Sequence, residues 1–135
     1  MERRRFPRDV TALERIHEWV GTFVAANGFP AEAAFDVDLL IEELFTNMVK
    51  YNHAGRQEIE IALSAEGAVV TIRIRDFDVD SFDPTRAPEV DPDMPMEERR
   101  RGGLGLHFVR RMADSLEYDY TDRNSTVTVT KRLET

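Results

Sequence analysis

Three polar residues on one predicted helix have the types and the spacing that chemistry needs. Glu43, Asn47 and Lys50 recur every three to four residues within EELFTNMVKY. On a helical wheel with Val37 at zero they lie near about 240°, 280° and 220°, beside the apolar stripe. A carboxylate and an amide one turn apart can hold a hard cation and orient a hydroxyl or a water. An ordinary solvated helix border has the same spacing, and the pair taken alone favours that interpretation.

A strand end supplies a second candidate group. Asp76 ends the alternating run AVVTIRIRD, so its carboxylate can face a pocket and accept a hydrogen bond from an exocyclic amine. Asp78, Asp80 and Asp83 follow closely. A calcium loop is disfavoured because the EF-hand pattern needs a central glycine and a terminal glutamate, which are not in place. An aspartate-rich turn is the alternative, since aspartate hydrogen-bonds its own backbone.

A glycine cluster supplies the third candidate. In RRRGGLGLHF, Gly102, Gly103 and Gly105 allow close approach to a ligand, and the following helix offers free N–H groups to an anion. The neighbouring arginines add the positive charge that a phosphate requires. The segment is neither a P-loop nor a dinucleotide fingerprint, because a GxxxxGKS/T pattern is absent and Phe108 replaces the last glycine. Phosphate binding and a hinge for a lid are equally compatible with it.

Predicted helices must position these groups. Apolar periodicity predicts a first helix over about residues 7–27 and a second over about 31–52. A third is predicted through GGLGLHFVRRMADSL, where Leu104, Phe108, Met112 and Leu116 recur every four residues.

Predicted strands complete the fold. Period-two alternation predicts an antiparallel pair over residues 57–64 and 68–76, and a closing hairpin from LEYDYTD and STVTVTKRL. Residues 77–101 are rich in proline and charge, which predicts a loop or lid. Helices before and between paired strands indicate an α/β two-layer sandwich, with a mixed, mostly antiparallel sheet and helices on one face.

Length, composition and charge limit the functional class. The 135 residues predict a single domain over residues 1–135. A formal net charge of −8 disfavours nonspecific binding to nucleic acid or an anionic membrane. The sequence has no cysteine and no HExxH, which excludes disulfides, thiolate chemistry and the common zinc motifs. Because the N-terminal stretch has no apolar signal-like core and no apolar run is long enough to span a membrane, we predict a cytoplasmic protein.

In combination and order, the three groups resemble the boxes of the gyrase and histidine-kinase ATP-binding superfamily, the Bergerat fold. Glu43-Leu44-Phe45-Thr46-Asn47 resembles its first box, Asp76 onward its second, and Gly102 to Gly105 its third. The short length, the phrase DSFDP and the run GGLGLHFVRRMADSLEYDY are similar to small bacterial anti-sigma factors that are also serine-protein kinases in partner-switching systems. This likeness covers about residues 5–133.

The resemblance implies ATP and Mg²⁺ as cofactors and a role for each matching residue. Glu43 would act as the catalytic base, Asn47 would bind Mg²⁺, and Asp76 would hold the adenine amine. Lys50 and Arg101 would offset phosphate charge, and a lid over residues 83–101 would close on the nucleotide. The other implied nucleotide contacts are Asp78, Gly102, Gly103, Leu104, Gly105, Leu106 and Thr128.

The same resemblance implies a function and partners. The protein would transfer the γ-phosphate of ATP to a serine or threonine of an anti-anti-sigma antagonist, and would otherwise sequester a sigma factor. It would do so as a homodimer, without direct contact with nucleic acid or membrane.

One departure from the family pattern leaves an alternative open. Asp78 stands where the family has glycine, and aspartate reaches positive φ only at some cost. An extra carboxylate beside the base pocket could weaken nucleotide binding, which would make the chain a protein-binding module with a degenerate pocket. A histidine-kinase fragment is disfavoured because Trp19-Val20-Gly21 lacks the residues that follow a phospho-acceptor histidine. His17 is predicted to be partly covered on a helix instead.

Overall fold

The computed structural model describes residues 1–51, 56–80 and 105–133, with side chains throughout except at 51 and 105–108. In chain order the elements are β1 (Glu2–Phe6), a 3-10 turn (Val10–Ala12), α1 (Leu13–Ala26), α2 (Ala33–Tyr51), β2 (Ile59–Glu66), β3 (Val69–Asp76), α3 (Gly105–Met112), β4 (Ser115–Thr121) and β5 (Asn124–Arg132). The predicted lid lies outside these residues.

The five strands form one sheet in the order β1-β2-β3-β5-β4. Its four described pairings are all antiparallel, so the parallel pair that a mixed sheet would include is not among them. Along β3 every second residue is buried, as expected for a strand with one face against a core. The predicted two-layer sandwich with a mostly antiparallel sheet is confirmed.

Two tight turns fix the register of the hairpins. Gly67, at φ 59°, opens the two-residue turn between β2 and β3, where a positive φ suits glycine. Asp122 and Arg123, at φ 53° and 64°, form the two-residue turn between β4 and β5. Two consecutive positive φ values are typical of a type I′ turn, whose twist matches that of the flanking strands.

Helices α1 and α2 cover one face of the sheet. Helix α1 buries an apolar stripe, and Gly28 follows its end at φ 76°, as a C-terminal glycine commonly does. His17 on α1 is partly covered, as predicted, and its Nδ1 lies 3.0 Å from Asp38 Oδ1 on α2. No helix among the described residues is both long and apolar enough to cross a membrane.

Three sequence-based boundaries are corrected. Strand β1 was not predicted. Only Phe6 among its five residues is buried, so the strand has no period-two apolar pattern. The first helix begins at Leu13 rather than near residue 7, since Asp9 caps the preceding 3-10 turn through Thr11 N–H. Leu116 belongs to β4 rather than to the third helix, which ends at Met112.

The core lies between the helical layer and the sheet. Its largest fully buried side chains come from both layers: Phe45, Ile16, Leu40, Ile41, Ile59, Ile61, Leu63, Ile72, Ile74, Val20 and Val24. Phe45 is 0% exposed, whereas Phe35 on the same helix is 68% exposed.

Replacing each of these phenylalanines by alanine should therefore separate core packing from helix propensity. We expect Phe45→Ala to lower the free energy of unfolding by about 3–5 kcal/mol, because it leaves a cavity between the layers. Phe35→Ala, the matched control, should change it by no more than about 0.5 kcal/mol. Urea denaturation measures both, and equal losses would contradict the burial of Phe45.

Candidate functional site

The polar border of α2 has the geometry that its spacing predicts. Asn47 is 8% exposed, Glu43 is half-buried and Lys50 is exposed. Asn47 Nδ2 donates a 2.8 Å hydrogen bond to the backbone carbonyl of Glu43. With the amide nitrogen engaged in that bond, the side-chain oxygen Oδ1 is the atom suited to ligand a cation. A structural hydrogen bond thus orients the residue without using its oxygen.

The environment of Glu43 gives its carboxyl the character of a base. Partial burial raises its pKa above the ordinary 4.5, the neighbouring Glu42 carboxylate raises it further, and Lys50 opposes both effects. A carboxylate with a raised pKa accepts a proton more readily at neutral pH than a solvated one does. The position on α2 therefore suits the predicted catalytic base.

Asp76 lies in the space between the two layers. Its side chain is fully enclosed and continues the row of buried residues Val70, Ile72 and Ile74 along β3. Its Oδ1 forms an ion pair with Nη2 of Arg8, whose Nη1 donates a 3.2 Å hydrogen bond to the backbone carbonyl of Met48. Because Met48 directly follows Asn47, Arg8 connects the ends of α2 and β3 that carry the two predicted ligands.

Arg8 was missed by the sequence analysis. It lies just after β1, and it is separated from Asp76 by 68 positions in the sequence. No local pattern signals a contact of that separation. A buried carboxylate almost always needs a partner, so the prediction that Asp76 faces a pocket could have prompted a search for a cation.

The turn after β3 accommodates Asp78. Its φ is 53°, so the positive value expected of this position is confirmed. Its carboxylate accepts a 2.8 Å hydrogen bond from Arg123 Nε, and its N–H donates to Asn124 Oδ1 at 3.2 Å. Val79 N–H donates to the backbone carbonyl of Arg123 at 2.8 Å. The turn is therefore docked on the β4–β5 hairpin, and the extra negative charge is paired.

Thr128 requires a correction. It lies on β5 between the core residues Val127 and Val129, so its side chain projects from the other face of the sheet. Asp76 projects into the core face, and its register partner on β5 is Ser125, which is buried. Thr128 lies three positions from Ser125, and residues an odd number of positions apart on a strand project from opposite faces. Ser125 is the β5 hydroxyl that lies beside Asp76.

The glycine box is described only in part. Arg101, Gly102, Gly103 and Leu104 lie outside the described residues. Gly105 is the first residue of α3 and Leu106 the second, so a helix does follow the glycines. Helix α3 packs against α2, the helix that carries Glu43 and Asn47.

The described residues hold no cluster of three or more histidine, aspartate or glutamate side chains that could bind a metal by themselves. Mg²⁺ is commonly held by one or two protein oxygens together with substrate phosphates and waters. Asn47 Oδ1 is a hard oxygen of this kind. The residues present therefore fit a cation that arrives with a phosphate ligand.

Comparison with known proteins gives a family profile and several relatives. The profile of the histidine kinase-like ATPase domain matches residues 6–131. The serine-protein kinase RsbW of Listeria innocua serovar 6a is 32% identical over 111 residues, which cover 78% of this chain and 70% of the relative. The serine-protein kinase RsbW of Halalkalibacterium halodurans is 27% identical over 94 residues, which cover 67% of this chain and 57% of the relative.

Two solved structures have a similar backbone. A chain in the SiaB-SiaC complex from Pseudomonas aeruginosa superposes with a TM-score of 0.62 at 14% identity, covering 97% of this chain and 88% of that chain. The histidine kinase domain of the blue-light activated kinase from Erythrobacter litoralis EL346 gives a TM-score of 0.53 at 18% identity, covering 92% and 60%. At these identities the likeness shows the fold alone, and it confirms the predicted fold class.

The raised pKa of Glu43 predicts a pH-dependent effect of Glu43→Gln. Between the ordinary pKa of 4.5 and the raised pKa of Glu43, the native state binds more protons than the unfolded state. Wild-type stability therefore falls as the pH rises through that window, and the variant lacks this contribution. We expect the free energy of unfolding of the variant, relative to wild type, to increase as the pH rises from below 4.5 through the raised pKa of Glu43.

Urea unfolding at several pH values measures this difference. Asp38, whose pKa is also raised by burial, is present in both proteins, so its contribution cancels. Parallel pH profiles for the two proteins would contradict the raised pKa of Glu43.

Proposed function

The chain belongs to the histidine kinase-like ATPase family, and on that premise we propose that it is an ATP- and Mg²⁺-dependent serine/threonine-protein kinase. Its acceptor would be a small anti-anti-sigma protein. The observation that carries the proposal is the link that Arg8 makes between Asp76 at the end of β3 and the carbonyl of Met48, the residue after Asn47 on α2. The kinase names of relatives at 32% identity support the same class of reaction.

In this proposal each described residue has one task in holding ATP. The enclosed carboxylate of Asp76 accepts a hydrogen bond from the adenine amine, and an amine is the group that distinguishes adenine from guanine at that position. Lys50, exposed near the end of α2, offsets phosphate charge. The helix that begins at Gly105 directs its first N–H groups toward an anion. The family match supports ATP as the nucleotide.

Phosphoryl transfer requires mainly positioning and charge neutralisation, so few residues suffice. The acceptor hydroxyl oxygen forms a bond to the γ-phosphorus while the bond from that phosphorus to the bridging oxygen breaks and ADP leaves. Glu43 accepts the hydroxyl proton, a task for which partial burial suits its carboxylate. Asn47 would hold Mg²⁺ through Oδ1, and the cation, when bound, neutralises the phosphate oxygens.

The partner assignments are part of the proposal and come from the resemblance to anti-sigma kinases. The chain would bind an anti-anti-sigma protein as its phosphate acceptor, sequester a sigma factor in the absence of that protein, and act as a homodimer in the cytoplasm. The formal net charge of −8 supports protein partners over direct contact with nucleic acid or an anionic membrane.

The second candidate is a protein-binding module with a degenerate nucleotide pocket. The observation in its favour is that Asp78 occupies the place of a family glycine. Two features of the turn reduce its weight: the positive φ is adopted, and Arg123 pairs with the carboxylate. The two candidates differ in a measurable way, because only the kinase requires magnesium-dependent ATP binding.

Asn47→Ala should weaken ATP binding in the presence of Mg²⁺ by about 10-fold or more, because it removes the oxygen ligand to the cation. Asn27 is a matched control, since its Nδ2 donates a 2.8 Å hydrogen bond to the carbonyl four residues earlier, as Asn47 does. Asn27→Ala should keep wild-type affinity. Isothermal titration with and without EDTA measures the binding, and a wild-type protein that binds no ATP would favour the protein-binding module.

Glu43→Gln should reduce phosphoryl transfer by about 10²–10⁴-fold while leaving ATP affinity nearly unchanged, because it removes only the proton acceptor. Glu42→Gln is the control, since the adjacent residue has the same chemistry and lies at a different angle on α2. Release of ADP with water as acceptor provides a readout that needs no partner. Equal rates for the two variants would exclude Glu43 as the base.

A further inference from the structure

Arg8 donates to groups on two elements that are far apart in the sequence. Nη1 donates to the Met48 carbonyl in the last turn of α2, and Nη2 pairs with Asp76 Oδ1 at the end of β3. The Arg8 side chain is 14% exposed and that of Asp76 is 0% exposed. Carbonyls in the last turn of a helix lack a helical donor and attract cations, so both acceptors favour a guanidinium at this place.

The backbone on both sides of Arg8 is fixed. Phe6 is buried and packs on Trp19, with the ring centroids 5.8 Å apart. Pro7 restricts its own φ, and Asp9 caps the 3-10 turn by accepting a 2.9 Å hydrogen bond from Thr11 N–H. The Arg8 side chain is therefore held in place at the backbone as well as at its guanidinium group.

From this geometry we propose that Arg8 is a positioning residue of the adenine subsite, which fixes the Asp76 carboxylate against α2 and so sets the selectivity for ATP over GTP. The inference rests on the proposed function. Arg8 acts through Asp76, and it need not contact the nucleotide. A carboxylate offers about four acceptor positions, so pairing with Arg8 is compatible with a hydrogen bond from an adenine amine.

Arginine suits this position better than lysine does. Its planar fork directs two N–H groups at two acceptors at once, whereas an ammonium is a point charge that serves one geometry. Arg8→Lys would keep the charge opposite Asp76 and lose the simultaneous hold on Met48. Arg8→Gln would remove the charge as well.

The experiment compares binding of Mg²⁺-ATP and Mg²⁺-GTP to the full chain by isothermal titration. Wild type should prefer ATP. For Arg8→Gln we expect ATP affinity to fall by about 10-fold or more with little change for GTP, so that the selectivity ratio falls by the same factor. Arg8→Lys should give an intermediate ratio. Arg5→Gln, which breaks the exposed pair with Glu60, should keep the wild-type ratio.

The selectivity ratio separates positioning from a general loss of stability, because a merely destabilised protein would bind both nucleotides less well. If wild type binds neither nucleotide, the proposed function and this inference both fail. If wild type binds ATP and the folded Arg8 variants keep its ratio, this inference alone fails. Tighter ATP binding by Arg8→Gln would also overturn it and would identify Arg8 as a competitor of adenine.

Circular dichroism and thermal unfolding show whether each variant is folded. If Arg8→Gln does not fold, Arg8→Lys decides the question, because it keeps a cation beside the enclosed carboxylate. If neither variant folds, Arg8 supports the fold as a whole, and the assignment to the adenine subsite is wrong.

Discussion

An enclosed carboxylate at the end of an apolar strand is the constraint on which the site depends. Asp76 continues the buried row of Val70, Ile72 and Ile74 and has no contact with solvent. A charge in that position is tolerated only with a partner of opposite charge and good geometry. The structure supplies Arg8 from the segment that joins the edge strand β1 to the first helix. The N-terminal segment therefore contributes to the candidate site as well as to the sheet.

Helix α2 contributes residues both to the core and to the candidate site. Residues on one side of the helix, including Leu40, Ile41 and Phe45, are fully buried. Asn47 and Glu43 occupy the border of that stripe, where burial is partial. Burial there is sufficient to raise the pKa of Glu43 and to hold the Asn47 amide in one orientation. A fully solvated border would provide neither effect, and a fully buried one would make an unpaired carboxylate too costly.

Local signals predicted the features that depend on local periodicity. The helical repeat identified α2 and its polar border, and alternation identified β2, β3 and the closing hairpin. Features set by contacts between distant segments were missed. Strand β1 forms by pairing with β2, and Arg8 pairs with Asp76, which is 68 positions away in the sequence. Leu116 fits the helical repeat equally well, but pairing with Val129 places it in β4. Thr128 shows that a strand can be recognised while a residue on it is assigned to the wrong face.

The departure from the family pattern at Asp78 is compensated by its neighbours. A non-glycine residue at positive φ carries a strain cost, and an exposed carboxylate adds charge to a protein that is already acidic. The β4–β5 turn offsets the charge through Arg123, which also reaches Asp80 at 3.3 Å, and Asn124 accepts the Asp78 N–H. Tyr120 secures the next residue by donating a 2.6 Å hydrogen bond to the carbonyl of Val79. Because Arg123 donates to it from the hairpin, the Asp78 carboxylate is directed toward the hairpin. A residue other than glycine is therefore accommodated at this turn, because the neighbouring turn provides the counter-charge.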